Sequence, residues 1–301
     1  MVSSTKTGSG DFRPLIERFL AVTQSAVRAV TPGMLKAHEA PTRESWVKSD
    51  GSLVTATDLE VERVFTEAIA REFPGMPVIA EESEAARING FSGRPQDFYA
   101  SLLGEPHLII IDPLDGTKNF VLGHKEFCIA AALTARVGGG VWPIAGVVAI
   151  PTEDRMLWSD GERVSGEVIS SGAALTVAQE RTGAAEVSIS SRDRRWLDEQ
   201  GLVLRQPWVS SGSSVYDMAG TLTGKLRASV VGSQRLWDLV APLALARPLG
   251  LELRDLLTGQ SVSAIAPDDL SQDISERPWG LMRRLILAPP DCAIGEIVSK
   301  S

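Results

Sequence analysis

Three apolar segments in succession, joined by turn residues, restrict this chain more than any other feature. Residues 127–137 (FCIAAALTARV), 141–150 (VWPIAGVVAI) and 155–161 (RMLWSDG) each read as a strand. Gly138, Gly139 and Gly140 between the first two are a hairpin signal. Consecutive hairpins make an antiparallel meander, which is not the βαβ series of a Rossmann domain. Just upstream, residues 107–111 (HLIII) read as a buried strand that runs into two acids, Asp112 and Asp115. An acid cluster at the end of an apolar strand is either a turn or a cation site.

Other elements follow from periodicity. From Asp11 to Val30, apolar residues recur at helical spacing, and Pro32-Gly33 predicts the stop. Residues 45–58 (SWVKSDGSLVTATD) read as a loop. Thr57, with Glu60 after it, predicts the start of a second helix, which the 73–75 FPG ends. Residues 76–83 (MPVIAEES) form a short strand ending in Glu81 and Glu82. In the second half, 186–191, 207–214, 226–232, 250–259 and 284–290 read as strands or strand ends. Helices are expected at 194–201, 215–224 and 236–250. Residues 1–10 are expected to be a mobile tail, 11–168 a first α+β domain, and 169–301 a second α/β domain that completes the site.

The 301 residues are enough to bury a sizeable core without staples. Net charge is −8 with no basic stripe, which argues against a nucleic-acid duplex as partner. Cys128 and Cys292 make neither a disulfide framework nor a metal knuckle, and His38, His107 and His124 are too scattered for zinc. The N-terminus has no signal-peptide core and no apolar run reaches transmembrane length, so no membrane partner and a cytoplasmic location are expected.

Acids stand at four element ends: Glu81-Glu82, Asp112, Asp115, and Asp238 after Leu236-Trp237. Each has an ordinary reading. D-P-x-D-G is commonly a turn, E-E-S a solvated strand end and W-D a helix cap. Together, at the ends of apolar elements, they would repel one another in a cleft unless a divalent cation joined them. Pro113 stiffens the backbone between the two aspartates, and Leu114 can turn its carbonyl inward. Thr117 leads into a short helix (KNFVLG) whose first N–H groups lack helical partners, which suits a phosphate.

With these residues in place, the sequence resembles the inositol monophosphatase superfamily of Mg²⁺-dependent, lithium-sensitive phosphomonoesterases. The family signature D-P-x-D-G-T-x-N-F stands here ungapped as DPLDGTKNF at 112–120, and a second signature begins W-D at 237–238. KSDGSLVTATD at 48–58, EES at 81–83 and SGSSVYDMAGTLTGKL at 211–226 are similar to further family stretches. The likeness spans about residues 11–265 by the order of these matches. It implies a layered αβαβα fold, an antiparallel sheet followed by a smaller mixed one.

The resemblance also implies roles. Glu81, Asp112 and the Leu114 carbonyl would hold one Mg²⁺, and Asp112, Asp115 and Asp238 a second. Glu81 would reach a weaker third. Glu81 and Thr117 would orient the attacking water, with Asp58 bonded to Thr117. Gly116 and Thr117 N–H groups would bind phosphate, with Lys118, Gly212, Ser213 and Asp238 toward the substrate; Arg235, three before Asp238, is either a contact for an anionic substrate or a surface arginine. Lys48 is either a solvated loop lysine or a neighbour of the third ion. The partner implied is a small phosphorylated molecule, and a homodimer is allowed.

The pattern departs from the family around the substrate. Val231 stands where inositol monophosphatases commonly carry a glutamate, seven positions before the aspartate of the second signature. Ser210 and Ser211 stand where an arginine often precedes the G-S-A stretch. Lys118 resembles the bisphosphate nucleotidases, Asn119 the inositol phosphatases, and SSRD at 190–193 echoes a nucleotidase S-R-S-H without its histidine. Gly250 alone remains of an A-G-G in RPLG at 247–250. The leading expectation is therefore hydrolysis of an inositol, sugar or sugar-alcohol phosphate. The alternative is a 3′(2′),5′-bisphosphate nucleotidase acting on 3′-phosphoadenosine 5′-phosphate. A haloacid-dehalogenase-type enzyme fits poorly, since its D-x-D-G-T motif is one residue shorter. A non-catalytic binding module is the remaining reading.

Overall fold

The computed structural model describes residues 12–84, 93–177, 185–273 and 277–300, so the tail expected at 1–10 lies outside the described residues. The chain opens with α1 (Arg13–His38), which continues through the stop expected at Pro32-Gly33. Both of those residues lie on the exposed face, where the Arg28 carbonyl left without a partner can be hydrated. Met34 meanwhile extends the buried stripe of Phe19, Ala26, Val27 and Val30. Burying that stripe outweighs the roughly 3 kcal/mol cost of an interior proline.

The stretch expected to be a loop is a hairpin, β1 (Ser45–Val47) with β2 (Leu53–Thr55), turning at Gly51 with φ +79°. The helix that follows, α2 (Ala56–Glu72), begins before Thr57. Thr55 is its N-cap, and Asp58 rather than Glu60 completes the capping box. Glu60 lies on the solvent face and pairs with Arg63.

β3 (Val78–Ala80) and α3 (Pro95–Leu103) precede β4 (His107–Asp115) and the one-turn α4 (Thr117–Leu122). The meander follows: β5 (Cys128–Val137), β6 (Gly140–Ile150), β7 (Arg155–Ser159), β8 (Val164–Val168) and β9 (Ala174–Leu175). These form a seven-stranded sheet in the order β3-β4-β5-β6-β7-β8-β9, antiparallel except for the β3/β4 pair. The sheet runs to Leu175, past the boundary drawn at 168/169.

The second half contains β10 (Val187–Ile189), α5 (Ser191–Glu199), β11 (Leu202–Leu204), β12 (Trp208–Val209), α6 (Ser214–Leu222), β13 (Ala228–Val231) and α7 (Leu236–Ala246). It closes with β14 (Glu252–Asp255), β15 (Leu285–Ala288), α8 (Ile294–Ile297) and β16 (Val298–Lys300). Five of these strands make a mixed sheet, β12-β10-β13-β15-β14. The antiparallel sheet and smaller mixed sheet match the expected architecture.

Strand alternation sorts the core into layers. Ile109 and Ile111 of β4 pack with α1 and α2, whereas Leu108 and Ile110 face α3, α6 and α7. That middle layer also receives Val231, Leu253, Leu285 and Leu287 from the second sheet. The far face of that sheet, with Val187, Ile189, Val230 and Ile286, buries Leu197 and Ile297. The order is αβαβα, and the middle core belongs to both halves. α7 comes very close to β6: a Cβ on Gly146 would lie 2.7 Å from Ala244 Cβ and 2.9 Å from the Ala241 carbonyl oxygen. Among the described residues no helix is long and apolar enough to cross a membrane.

Candidate active site

The ends of β3 and β4 meet the N-termini of α4, α6 and α7. A bulge in β4 aims the acids. Across β5, Asp112 pairs with Ala130 and Asp115 with Cys128, so β4 takes three steps where β5 takes two. In a regular strand residues i and i+3 face opposite ways, and the extra residue returns both carboxylates to one side. Pro113, within the bulge, has no N–H to leave unpaired. Gly116 follows at φ +88°, and a Cβ there would meet the Glu126 carbonyl oxygen at 2.8 Å and Ser213 Cβ at 3.0 Å. Only glycine allows so tight a passage from strand to helix.

Asp238 enters from α7, where its Oδ2 accepts the Arg235 N–H at 2.9 Å. One carboxylate oxygen from each of Asp112, Asp115 and Asp238 lies within 4.8 Å of the others. Asp115 is held by the start of α6, accepting Ser213 Oγ, the Val215 N–H at 2.8 Å and Ser214 Oγ at 3.3 Å. Asp112 Oδ1 accepts the Leu114 N–H at 3.1 Å, but its Oδ2 is buried with no hydrogen-bond partner among the described residues.

The electrostatics follow from this crowding. Burial, then the charges of Glu81, Asp115 and Asp238, push the Asp112 carboxyl well above the usual range. Burial raises Asp115 to about 6 against the hydrogen bonds from Ser213 and Val215. Asp238 rises to about 7 through burial and the charges of Asp115 and Glu81. Without a counter-cation, buried like charges are relieved by holding protons. The donors are all hard oxygens and one of them is orphaned, so the set suits Mg²⁺.

Lys48 reaches in from the β1–β2 hairpin to Glu81 Oε1 at 2.8 Å and Glu82 Oε1 at 3.0 Å. Burial lowers the Lys48 ammonium, but the charges of Glu81 and Glu82 outweigh it and hold it above its usual value. Glu82 is raised to about 8 by burial and by Glu81. Asp58, fully buried, accepts Thr117 Oγ1 at 2.9 Å; that hydroxyl is also 3.1 Å from the Leu114 carbonyl and can donate to one of them at a time.

Beside the acids lies a cleft of about 230 Å³. Gly212, Ser213, Ser214 and Asp238 line it near the acids, and Ser190, Ser191, Val231, Ser233 and Gln234 line the rest. Ser213 therefore has its hydroxyl on Asp115, and Gly212 (φ +88°) passes against the Asn119 amide, where a Cβ would approach Oδ1 to 2.9 Å. Lys118 is exposed and makes no bond to the described residues. Arg235 pairs with Asp50, linking the hairpin to the start of α7, and its Nε is buried without a hydrogen-bond partner among the described residues.

Several supports escaped the sequence reading. Glu62 accepts the Glu82 N–H at 2.7 Å and Ser83 Oγ, fixing the acidic strand end. Its signal was an acid one helical turn after Asp58 on a face that also carries Val61 and Phe65. Asn119 donates to the Glu126 carbonyl at 2.6 Å and the Ser211 carbonyl at 2.8 Å, tying α4 to the loop before α6. No local pattern signals a bond across that separation.

The inositol monophosphatase family model matches residues 16–289. The inositol-1-monophosphatase of Bacillus subtilis is 27% identical over 217 residues, 71% of this chain and 76% of that protein. Among solved structures, the Thermotoga maritima IMPase superposes with a TM-score of 0.62 at 20% identity, covering 90% of this chain and 92% of that one. An IMPase/NADP phosphatase complexed with Mg²⁺ and phosphate gives 0.61 at 18% identity, covering 94% and 93%.

Proposed function

The chain belongs to the inositol monophosphatase family, and from that premise we propose that it hydrolyses a small phosphomonoester with Mg²⁺ at Asp112, Asp115 and Asp238. The observation that carries this reading is the convergence of those three carboxylate oxygens within 4.8 Å, one acid having an orphaned oxygen. A homologue's complex with Mg²⁺ and phosphate supports it. Glu81 and the Leu114 carbonyl complete the proposed ligand set of two or three ions. Bound Mg²⁺ would supply neutralisation of the phosphoryl charge and activation of water.

The chain's own groups then have separate tasks. Asp58 accepts the Thr117 hydroxyl proton, which leaves the Thr117 lone pairs free to accept a hydrogen from the attacking water. The Glu81 carboxylate is the proton acceptor for that water. The N–H groups of Gly116 and Thr117 at the start of α4 bind phosphate oxygens. The ester's organic part lies in the serine-lined cleft. Val231, buried in that wall, offers no hydrogen bond to a sugar hydroxyl. That favours keeping the bisphosphate nucleotidase as the second reading.

Phosphate release from a panel of sugar, inositol and nucleoside phosphates, with Mg²⁺, with EDTA and with lithium, tests the proposal. Release only with Mg²⁺ and inhibition by lithium are expected, and release unaffected by EDTA would overturn it. Thr117→Val should lower kcat by about 10²-fold, the range for general acid–base groups, while Thr117→Ser retains most activity.

A further inference from the structure

Two segments outside β4 bring acids toward the proposed cation site, and one buried side chain joins them. Residues 81–84 are helical and follow β3, so Glu81 and Glu84 lie one turn apart. The charge of Glu81 reaches both Asp112 and Asp238 and raises their carboxyls. Glu84 is 1% exposed, and its Oε2 accepts the Trp279 indole N–H at 2.9 Å. Trp279 is fully buried, and its own carbonyl accepts the Leu236 N–H at 2.9 Å. Leu236 is the first residue of α7, two before Asp238, and this bond serves an N–H that has no acceptor within the helix.

Trp279 is pinned from several directions. Its backbone has φ +59°, in the left-handed region that a bulky residue rarely adopts. Its N–H donates to the Tyr99 hydroxyl at 3.1 Å. Its ring centroid lies 4.6 Å from that of Tyr99 and 5.8 Å from that of Phe98, both on α3. Arg235 and Gly280 form an antiparallel bridge, flanked by the Leu236–Trp279 bond and by the Leu281 N–H donating to the Gln234 carbonyl at 3.0 Å. A strained backbone persists only where its surroundings impose it, and it points to a task beyond filling space. A core filler needs neither that backbone nor a buried carboxylate on its indole, since burying an acid is costly.

We infer that Trp279 is a positioning residue for the cation site. The chain Glu84–Trp279–Leu236 ties the turn that carries Glu81 to the helix that carries Asp238, and so fixes the distance between the two acids that do not come from β4. This rests on the metal-dependent reading, because a shared cation is what makes that distance matter. Trp279 does not line the cleft. It acts through Glu81 and Asp238, as groups that orient metal ligands do.

Mg²⁺ titrated by calorimetry into the full chain, without substrate, tests this. Trp279→Phe keeps a buried ring but deletes the indole N–H, and should weaken Mg²⁺ binding about tenfold. Glu84→Gln keeps an acceptor for the indole and should stay within about threefold of the wild type. In phosphate release, Trp279→Phe should raise the Mg²⁺ concentration for half-maximal rate about tenfold, with KM for the ester at saturating Mg²⁺ changed by less than about twofold. A tryptophan that only fills the core would lower the melting temperature in EDTA and leave the Mg²⁺ affinity of the folded protein as it was; that result overturns the inference. A loss in Glu84→Gln as large as that in Trp279→Phe overturns it too, since the hydrogen bond would then not be what matters. If Trp279→Phe does not fold, Tyr99→Phe, which removes only the hydroxyl that accepts the Trp279 N–H, takes its place. A loss of about threefold is then expected, and no loss counts against the inference. Wild-type binding that these variants leave unchanged sinks the positioning role alone. No Mg²⁺ binding by the wild type sinks the metal reading and the inference with it. Binding that behaves as expected with no ester hydrolysed leaves the positioning role standing and removes the phosphatase reading.

Discussion

At one side of the cleft, Asp112 and Asp115 are buried beside the half-buried Asp238, and among the described residues no arginine or lysine side chain bonds any of the three carboxylates. Behind the serines of the far wall, Arg284 pairs with the buried Asp193, whose charge also reaches Arg277. Both clusters hold an excess of one sign in a place where water cannot fully solvate it. They differ in how much of the excess is relieved from within. Arg284 has a carboxylate at 2.8 Å, while Asp112 has a buried oxygen with no hydrogen-bond partner among the described residues. The acidic end therefore requires a ligand more strongly than the basic end does. A compact divalent cation answers the first, and Asp193 partly answers the second.

The sharpest way to break this comparison is to remove one charge from the acidic end. Asp112→Asn keeps the acceptor for the Leu114 N–H but removes a repelled carboxylate. Phosphatase activity should fall on the order of 10³-fold, comparable to losing a principal electrostatic group. The metal-free protein should gain roughly 1–3 kcal/mol, read from denaturant unfolding in EDTA. A loss of stability would show that the acids are not in conflict. The opposite sign is expected at the basic end. Asp193→Asn leaves Arg284 without its partner and should cost about 3 kcal/mol.

A smaller effect comes from pH. Asp115 and Asp238 titrate at about 6 and about 7, above the ordinary 3.8. Between these values the folded protein holds protons that the unfolded chain has lost. The stabilisation is therefore complete below pH ~4 and lost as pH rises through 6 and 7. In EDTA the melting temperature should fall by about 5 °C or more from pH 5 to pH 8, and Mg²⁺ should flatten that slope. A flat profile in EDTA would contradict the crowding of these acids.

The two ends were not equally visible in the sequence. The acids stand within nine residues of one signature and at the head of a helix, so local pattern and the strand-then-turn chemistry found them. The hairpin meander was equally legible, because alternation and Gly138–Gly140 are local signals. Other features depend on distant partners. Pro32 reads as a stop unless the burial of Met34 is known. The 45–58 hairpin hides behind polar residues whose partners, Glu81 and Arg235, are far along the chain. The arginine end is assembled from α5, the turn after β13 and the segment before β15. No spacing rule joins Asp193 to Arg284 or Asp50 to Arg235.

Gly146 has a bearing on the acid cluster that its distance from it conceals. α7 carries Asp238 at its first turn and rests, through Ala241 and Ala244, on the bare backbone of β6. Ala244 is about 9 Å along the helix axis from Asp238. The helix thus behaves as one jaw of a caliper, and the sheet bearing Asp112 and Asp115 is the other. The thickness of the shim at residue 146 sets the gap between the jaws. The spacing of the three carboxylates can be retuned through an uncharged contact in the middle core, with each acid left as it is.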